Sequence, residues 1–235
     1  MYVRYDHYKR KFNLKKTIKD ILFIYIIAVI SVLLFNSLIL QAFKVPSNSM
    51  VPQIKENTYI LVNKFVYGPK YPLTDNRIFD STKNIRRGDV VLFMSNEYYH
   101  RNIFLRFLSS IVYTLSFSLV DILYLTDNDS NIYIKRIIGL PGDTIKYKLN
   151  DNTVEVYINN TIEKKVIPIN YKLIDDNDKY PLINEYKVKA NEYYVLGDNR
   201  RDSSDSRIWG GVIPKQILGK AMLKYFPFNE FGAIK

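Results

Sequence analysis

The chain has 235 residues, no cysteine and a formal net charge of +11 at pH 7. A chain of this length can bury a core without covalent staples, and the lack of cysteine excludes disulfides, thiolate nucleophiles and cysteine metal sites. Residues 1–20 contain seven of the 34 Lys and Arg residues but two of the 23 Asp and Glu residues, which leaves 27 basic and 21 acidic residues in the rest. This mild excess comes without any nucleic-acid module signature, so no nucleic-acid partner is predicted.

An uncharged apolar run of 23 residues, Ile21 to Phe43, follows the basic segment 1–20. As a helix it would be roughly 34 Å long, enough to span a bilayer. The alternative is a cleaved secretory signal, but the apolar region of such a signal is shorter, about 7–15 residues, and no small-x-small cleavage site follows. The sequence therefore predicts a transmembrane helix over 21–43. The positive-inside bias predicts a cytoplasmic amino terminus and an extracytoplasmic domain over 44–235.

A serine lies just beyond the predicted span, within the stretch Val45–Pro52 (VPSNSMVP). A serine hydroxyl is a weak nucleophile without a base to accept its proton, so the question for Ser49 is which base is available. Only two histidines exist: His7 is in the basic segment, and His100 has no motif around it. A Ser-His-Asp triad is therefore disfavoured, and no metal-ligand spacing is present.

The remaining candidate base is a lysine. Lys135 follows the apolar residues Ile132–Ile134, a position where burial would lower the pKa of the ammonium group and allow it to act as a base. Taken alone, a lysine at a strand end is more often a solvated edge charge. The residues by themselves leave both interpretations open.

From Tyr59 onward, short β-branched and aromatic runs alternate with turn residues such as Gly88-Asp89 and Asn159-Asn160, a pattern typical of strands. Such spacing predicts a mainly-β domain, closed partly into a barrel or packed as a sandwich. The six predicted strands are Tyr59–Val62, Val90–Phe93, Ile132–Ile134, Thr144–Tyr147, Val154–Ile158 and Tyr193–Leu196.

Four segments stand out between residues 45 and 212: Pro46–Pro52, Arg87–Val91, Lys135–Asp143 and Gly197–Arg207. In content and order they resemble the motifs of the bacterial type I signal peptidases. The chain departs from the family pattern at Arg201-Asp202, where Asp-Asn is usual, and at Gln53, where Thr is usual. One motif would be weak support, but four in the family's order are specific.

The resemblance implies a Ser-Lys dyad in which Ser49 is the nucleophile and Lys135 is the neutral general base. It also implies that Ser47 assists the Ser49 amide in holding the oxyanion, a preorganised donor pair of the kind that contributes strongly to catalysis.

Three further residues match supporting positions of the family. Ser203 matches a serine that hydrogen-bonds and orients the lysine, and Asp205 with Arg207 matches a supporting ion pair. The alternative for Ser203, in a run with Ser204 and Ser206, is a turn hydroxyl that caps local backbone.

In the family, an extended signal-peptide segment pairs with the chain near the dyad, and small side chains enter shallow apolar pockets. The positions that match the pocket walls are Val45, Met50, Ile54, Tyr133 and Ile134. The alternative is that these are simply core side chains.

Together these features predict a membrane-anchored serine endopeptidase that removes signal peptides from exported preproteins. Its partners would be signal peptides and membrane lipid, with no cofactor. It would cross the cytoplasmic (inner) membrane once, with its catalytic domain on the outer, periplasmic face. Two alternatives stay open: a Ser-Lys autoprotease of related fold, and a catalytically silent paralogue that binds signal peptides.

An insertion over about 96–129 interrupts the strand pattern, and its part Ile103–Leu125 is apolar. A single membrane crossing there would separate Ser49 from Lys135 and bury Arg106 and Asp121 at about 2.5–3.5 kcal/mol each. A helical projection instead predicts two faces. The apolar face carries Phe104, Leu108, Ile111, Val112, Leu115, Leu119, Ile122 and Leu123, and the polar face carries Arg106, Ser109, Ser110, Thr114, Ser116 and Asp121. We expect a helix in the membrane interface; the alternative is a helix packed on the strand core.

Overall fold

The computed structural model describes residues 13–71, 76–95, 102–115, 132–150, 153–166 and 185–235. Within these ranges the helices are α1 Leu14–Leu38, α2 Ile103–Leu115, α3 Glu163–Val166 and α4 Ser206–Trp209. The strands are β1 Leu40–Lys44, β2 Tyr59–Asn63, β3 Val90–Met94, β4 Ile132–Gly139, β5 Thr144–Asn150, β6 Thr153–Ile158, β7 Thr161–Ile162, β8 Glu185–Lys187, β9 Tyr194–Leu196, β10 Ile217–Phe226 and β11 Gly232–Ala233.

Helix α1 is long and apolar enough to cross a membrane over Leu14–Asn36, by length and composition, and the described part of the chain holds one such helix. It begins at Leu14, where the side chain of Asn13 accepts a hydrogen bond from the backbone of Lys16, so it extends into the predicted basic segment.

The predicted span 21–43 is wrong at its end, because the helix stops at Leu38 and Leu40–Lys44 form β1. All five residues of β1 pair with β2, and Phe43 is buried. An uncharged apolar sequence is compatible with both a membrane helix and a buried strand. Composition alone therefore does not show where α1 ends and β1 begins.

The larger sheet is antiparallel and has the order β1-β2-β10-β3-β4-β9, with β11 paired to β10. All six predicted strands begin at or within one residue of their predicted starts. The prediction of a mainly-β fold is confirmed. Among the described strands, the sheet is an open path from β1 to β9 and not a closed barrel.

The smaller sheet has the antiparallel order β7-β6-β5-β8. Its buried side chains, including Ile145 and Val156, share one apolar cluster with Ile138, Tyr194 and Leu196 of the larger sheet. The two sheets are therefore joined by a common core beside β4 and β9.

Both faces of the larger sheet are covered near its centre. Val90 and Leu92 of β3 belong to one apolar cluster, and their neighbours Val91 and Phe93 belong to another. This alternation follows from the two-residue period of a strand. It explains why β3 reads as a continuous apolar run.

The predicted insertion is described only in part. Its helix is observed as α2, Ile103–Leu115, while residues 96–101 and 116–131 lie outside the described residues. The predicted continuation to Leu125 therefore stays a prediction.

Candidate active site

The two residues expected to form the dyad lie in contact, although 86 positions separate them in the chain. Nζ of Lys135 is 2.7 Å from Oγ of Ser49. Both residues are nearly excluded from solvent, with exposed fractions of 3% for Lys135 and 5% for Ser49.

Strand pairing places Lys135. It lies in β4 opposite Val91 of β3, one residue before the pairing of β4 with β9 begins at Arg136. Burial lowers the pKa of Lys135 to about 8, and this effect outweighs the opposing influence of the Asp205 and Asp198 carboxylates. A lysine with such a pKa is neutral in a substantial fraction of molecules near neutral to mildly basic pH. Lys135 therefore has the burial that a lysine base requires.

A turn after β1 places Ser49. The amide of Val45 donates to the Thr58 carbonyl (2.9 Å), the amide of Asn57 donates to the Val45 carbonyl (2.8 Å), and the amide of Ile54 donates to the Met50 carbonyl (2.9 Å). These bonds anchor both ends of the turn. Within it, the exposed Ser47 places its Oγ 3.3 Å from Oγ of Ser49, as a hydrogen-bond donor.

The predicted ion pair of Asp205 with Arg207 is present and buried. Nε and Nη2 of Arg207 donate to the two carboxylate oxygens of Asp205 at 2.8 and 3.0 Å. Asp205 also precedes α4 as its N-cap, accepting from the Arg207 amide, and accepts from the Gly197 amide at 3.0 Å. One carboxylate therefore ties the end of β9 to the start of α4.

Ser203 differs from the expectation. It is buried at 2% exposure, but within the described residues its Oγ has no hydrogen-bond partner, so the expected bond to Lys135 is absent from this structure. The physical reason is that Oγ of Ser203 packs against Gly197, while Nζ of Lys135 is directed at Ser49.

A second buried ion pair was missed by the sequence reasoning. Arg136, next to Lys135, donates to both oxygens of Asp198 at 2.7 and 2.6 Å, and neither side chain is exposed. Arg136 also donates to the Gly88 carbonyl at 2.7 Å. The available signal was that three of the four motifs contain both basic and acidic residues.

The positions matched to pocket walls divide into two groups. Val45, Met50, Ile54 and Ile134 are buried in one apolar cluster. Tyr133 is half-buried in a second cluster, where its ring stacks on Phe93 at 5.8 Å between centroids. All five are thus packed side chains, and a role in substrate binding stays a prediction. Among the described residues, no three His, Asp or Glu side chains are grouped so that they could hold a metal ion.

The chain matches a known protein family and several known proteins over most of its length. The family model for "Signal peptidase, peptidase S26" matches residues 17–226. A signal peptidase I of Bacillus amyloliquefaciens is 30% identical over 232 residues, which are 97% of this chain and 98% of that protein.

Other relatives are longer than this chain. A signal peptidase I of Buchnera aphidicola from Acyrthosiphon pisum is 28% identical, and the match spans 86% of this chain and 73% of that protein. One of Pseudomonas fluorescens is 30% identical, with the match spanning 80% of this chain and 62% of that protein. A crystal structure of a signal peptidase I from Enterococcus faecalis is 24% identical and has a TM-score of 0.34, covering 58% of this chain and 96% of that chain.

Proposed function

This chain belongs to the signal peptidase family, peptidase S26, and is a serine peptidase, and from that membership we propose that it cleaves signal peptides from exported preproteins through a Ser49-Lys135 dyad. The observation that carries the proposal is the 2.7 Å separation of Lys135 Nζ and Ser49 Oγ in a buried site. A nucleophile and a base at hydrogen-bond distance are what covalent peptide cleavage requires.

In this mechanism the neutral amine of Lys135 accepts the hydroxyl proton of Ser49 as Oγ attacks the scissile carbonyl carbon. The resulting ammonium group then donates that proton to the departing amine, and the peptide carbon stays bonded to Oγ as an ester. A water molecule, deprotonated by the same lysine, hydrolyses the ester and restores the serine. The lowered pKa of Lys135, about 8, supports both transfers, because such a group exchanges protons readily near neutral pH.

The tetrahedral oxygen that forms during the attack needs donors that already point at it. We assign these to the Ser49 backbone amide and the Ser47 hydroxyl, which lies 3.3 Å from Ser49 Oγ. The buried pair of Asp205 with Arg207 and the pair of Arg136 with Asp198 support the loop and the strand that carry the dyad.

The substrate would lie as an extended strand between the turn at Val45–Ser49 and the first half of β4. Strand β9 pairs with β4 only from Arg136 to Gly139, so it diverges before Lys135. Main-chain pairing supplies affinity with little dependence on sequence. Small side chains would contact the apolar cluster that contains Met50 and Ile134.

The direct experiment is processing of a purified preprotein by the full chain in detergent. Ser49→Ala and Lys135→Ala should each lower the rate about a thousandfold or more, and the double variant should cost little beyond either one, because the two groups act as a unit. Lys135→Arg should be equally inactive, since a guanidinium stays charged. Ser204→Ala changes an exposed serine of the same region and is the matched control.

If either single alanine variant cleaved the preprotein near the wild-type rate, the proposed Ser49-Lys135 dyad would be contradicted. A wild-type chain that folds but cleaves no preprotein would favour a catalytically silent binding protein. A chain that cleaves only itself would favour the autoprotease.

We further propose that α1 anchors the chain in the cytoplasmic membrane with its amino terminus inside, and that α2 lies in the outer interface. Helix α2 lies beside α1. It exposes Phe104 (66%) and Leu108 (39%) while Ser109 is buried (4%). A helix packed on the strand core would bury the apolar residues and expose the serine. An outward apolar face beside a candidate membrane span therefore supports contact with lipid.

Because the chain has no cysteine, single labelled positions give a clean test. A spin label at Phe104→Cys in the full chain, reconstituted in vesicles, should be accessible to oxygen and protected from a water-soluble nickel complex. Ile78→Cys, at a similarly exposed apolar residue (41%) of another segment, should give the opposite pattern. Equal accessibility to the nickel complex at both sites would rule out the interfacial helix.

A further inference from the structure

A buried carboxylate outside all four motifs contacts the loop of the active site. Glu163 is the first residue of α3, next to the smaller sheet, and is 1% exposed. Its two oxygens accept hydrogen bonds from Nη1 and Nη2 of Arg200 at 3.0 and 2.6 Å, and Arg200 is 2% exposed. Carboxylates are almost never buried to this degree unless they are paired. The paired fork geometry also fixes the orientation of the guanidinium.

Arg200 lies within the loop between β9 and α4 and is bonded to that loop at two further points. Its Nε donates to the Gly197 carbonyl at 2.9 Å. Its own carbonyl accepts from Nη2 of Arg207 at 2.7 Å, and Arg207 is the partner of Asp205. The Arg200 side chain therefore holds Gly197 in place, and the Arg200 backbone holds the guanidinium of Arg207.

The same loop touches the nucleophile directly. The amide of Asn199 donates to the Ser49 carbonyl at 3.0 Å. Gly197 is packed so closely that an added methyl group would lie 2.6 Å from that same carbonyl oxygen. A shift of the loop would therefore move the backbone of Ser49, whose Oγ contacts Lys135.

We propose that Glu163 is a positioning residue for the peptidase reaction: through Arg200 it holds the β9-α4 loop against Ser49 and keeps Lys135 dry. The smaller sheet therefore contributes to the peptidase reaction as well as to the stability of the fold. This proposal rests on the proposed function. The competing explanation is an ion pair that stabilises the fold alone.

The two explanations differ in what happens to the dyad when the charge is removed. In Glu163→Gln the Arg200 guanidinium keeps its charge in a buried place without its carboxylate, a strongly unfavourable state. We expect the guanidinium to turn toward water and to release Gly197. Burial is the main cause of the lowered Lys135 pKa, so water at the lysine would move the acidic limb of the pH-rate profile upward, by about half a pH unit or more.

The test uses the full chain in detergent and measures kcat, KM and the pH dependence of kcat on a preprotein. Glu163→Gln should lower kcat about tenfold or more with KM nearly unchanged, and should shift the acidic limb upward. Glu163→Asp, which keeps the charge, should keep the wild-type limb. Glu155→Gln is the matched control, because Glu155 lies in β6 of the same sheet and accepts from the Tyr157 hydroxyl; it should change neither kcat nor the limb.

A folded Glu163→Gln variant with the wild-type kcat and acidic limb would overturn the proposal. If that variant fails to fold, the paired change Glu163→Met with Arg200→Met replaces the ion pair by apolar side chains of similar volume, a change that buried pairs often tolerate. Wild-type kcat and pH profile in this double variant would equally overturn it.

Failure of the proposed function is distinguishable from failure of this inference. Titration of Lys135 can be followed by NMR of the lysine-labelled chain, with Lys135→Met used for assignment, and this needs no substrate. A raised Lys135 pKa in Glu163→Gln would support the positioning role even in a chain that cleaves no preprotein. An unchanged pKa would contradict it.

Discussion

At the scale of single residues, Lys135 is a basic side chain held where an ammonium group is poorly solvated. Its pKa of about 8 predicts a specific pH profile, because only the neutral amine can accept the serine proton. The rate of preprotein cleavage should rise with pH and level off above a midpoint near pH 8, well below the ~10.4 of a free lysine. The measurement is kcat against pH. A rate still climbing toward pH 10 would contradict the desolvated base.

The same lowering of its pKa means that Lys135 destabilises the folded chain. Its pKa falls from 10.5 to about 8 on folding, so the unfolded chain binds more protons between these pH values, and stability rises with pH across that window. The penalty is fully present below pH 8 and is relieved as the pH passes about 10.5. Lys135→Met should therefore raise the free energy of unfolding at pH 7 by about 3 kcal/mol.

Denaturant unfolding of Lys135→Met and of the wild-type chain, at pH 7 and pH 10 in detergent, tests this sign. The gain should shrink at pH 10. Lys146→Met, at a partly exposed lysine of β5, should give no comparable gain. A variant less stable than the wild type at pH 7 would mean that Lys135 is stabilising and not strained by burial.

At the scale of elements, the close approach of the β9-α4 loop to the turn that carries Ser49 depends on one glycine. A methyl group on Gly197 would overlap Oγ of Ser203 and lie 2.6 Å from the Ser49 carbonyl oxygen. Because a backbone atom is involved, the neighbours cannot simply rotate away. Gly197→Ala should lower cleavage about a hundredfold or more and destabilise the chain by about 1–3 kcal/mol.

Gly232→Ala is the control for this change, because an added methyl group there meets nothing within 4 Å. Cleavage and thermal unfolding of the two variants should be measured together. Wild-type cleavage by Gly197→Ala would show that the loop and the turn tolerate separation.

Most strands could be predicted because their residues are β-branched or aromatic and their turns are explicit. Strand β10 could not, since Ile217–Phe226 includes Gly, Lys and Ala residues of low strand propensity. It is nevertheless central to the sheet, paired with both β2 and β3. Its place is decided by long-range pairing, which a single segment does not encode.

The residues of the candidate site likewise fall into a group that the sequence predicts and a group that it does not. The motifs predicted Ser49, Lys135 and the pair of Asp205 with Arg207, and the contacts within both pairs are present in the structure. Glu163 lies in a segment without a motif, and its contact with Arg200 depends on the packing of the smaller sheet beside the loop. Such a contact between distant segments becomes visible only in the folded chain.

At the scale of the whole molecule, the boundary between α1 and β1 predicts which truncations fold. A chain of residues 39–235 keeps β1, whose five residues pair with β2 and bury Phe43, and should be folded and active on a peptide substrate. A chain of residues 45–235 loses that edge strand and exposes β2 and part of the core. It should be destabilised by several kcal/mol, on the order of the cost of losing one large buried side chain and its strand pairing.

Cooperative thermal unfolding and peptide cleavage by the two truncated chains are the measurements. Equal stability would mean that β1 is only a connector. A chain of residues 39–235 that aggregates in water but is active in detergent would point to the exposed apolar residues of α2 as a second membrane contact.

The junction between α1 and β1 is a single residue, Ile39. Its amide donates to the Phe35 carbonyl at 2.8 Å, and its carbonyl accepts from the Lys64 amide at 2.9 Å. These two hydrogen bonds make the junction between helix and strand rigid. If α1 spans the bilayer, the five residues of β1, about 17 Å of extended chain, hold the serine at a set height above the lipid. This height would then select the cleavage site. Among the accessible peptide bonds of a substrate threaded through the same membrane, the chain would act on those that emerge at the height of Ser49.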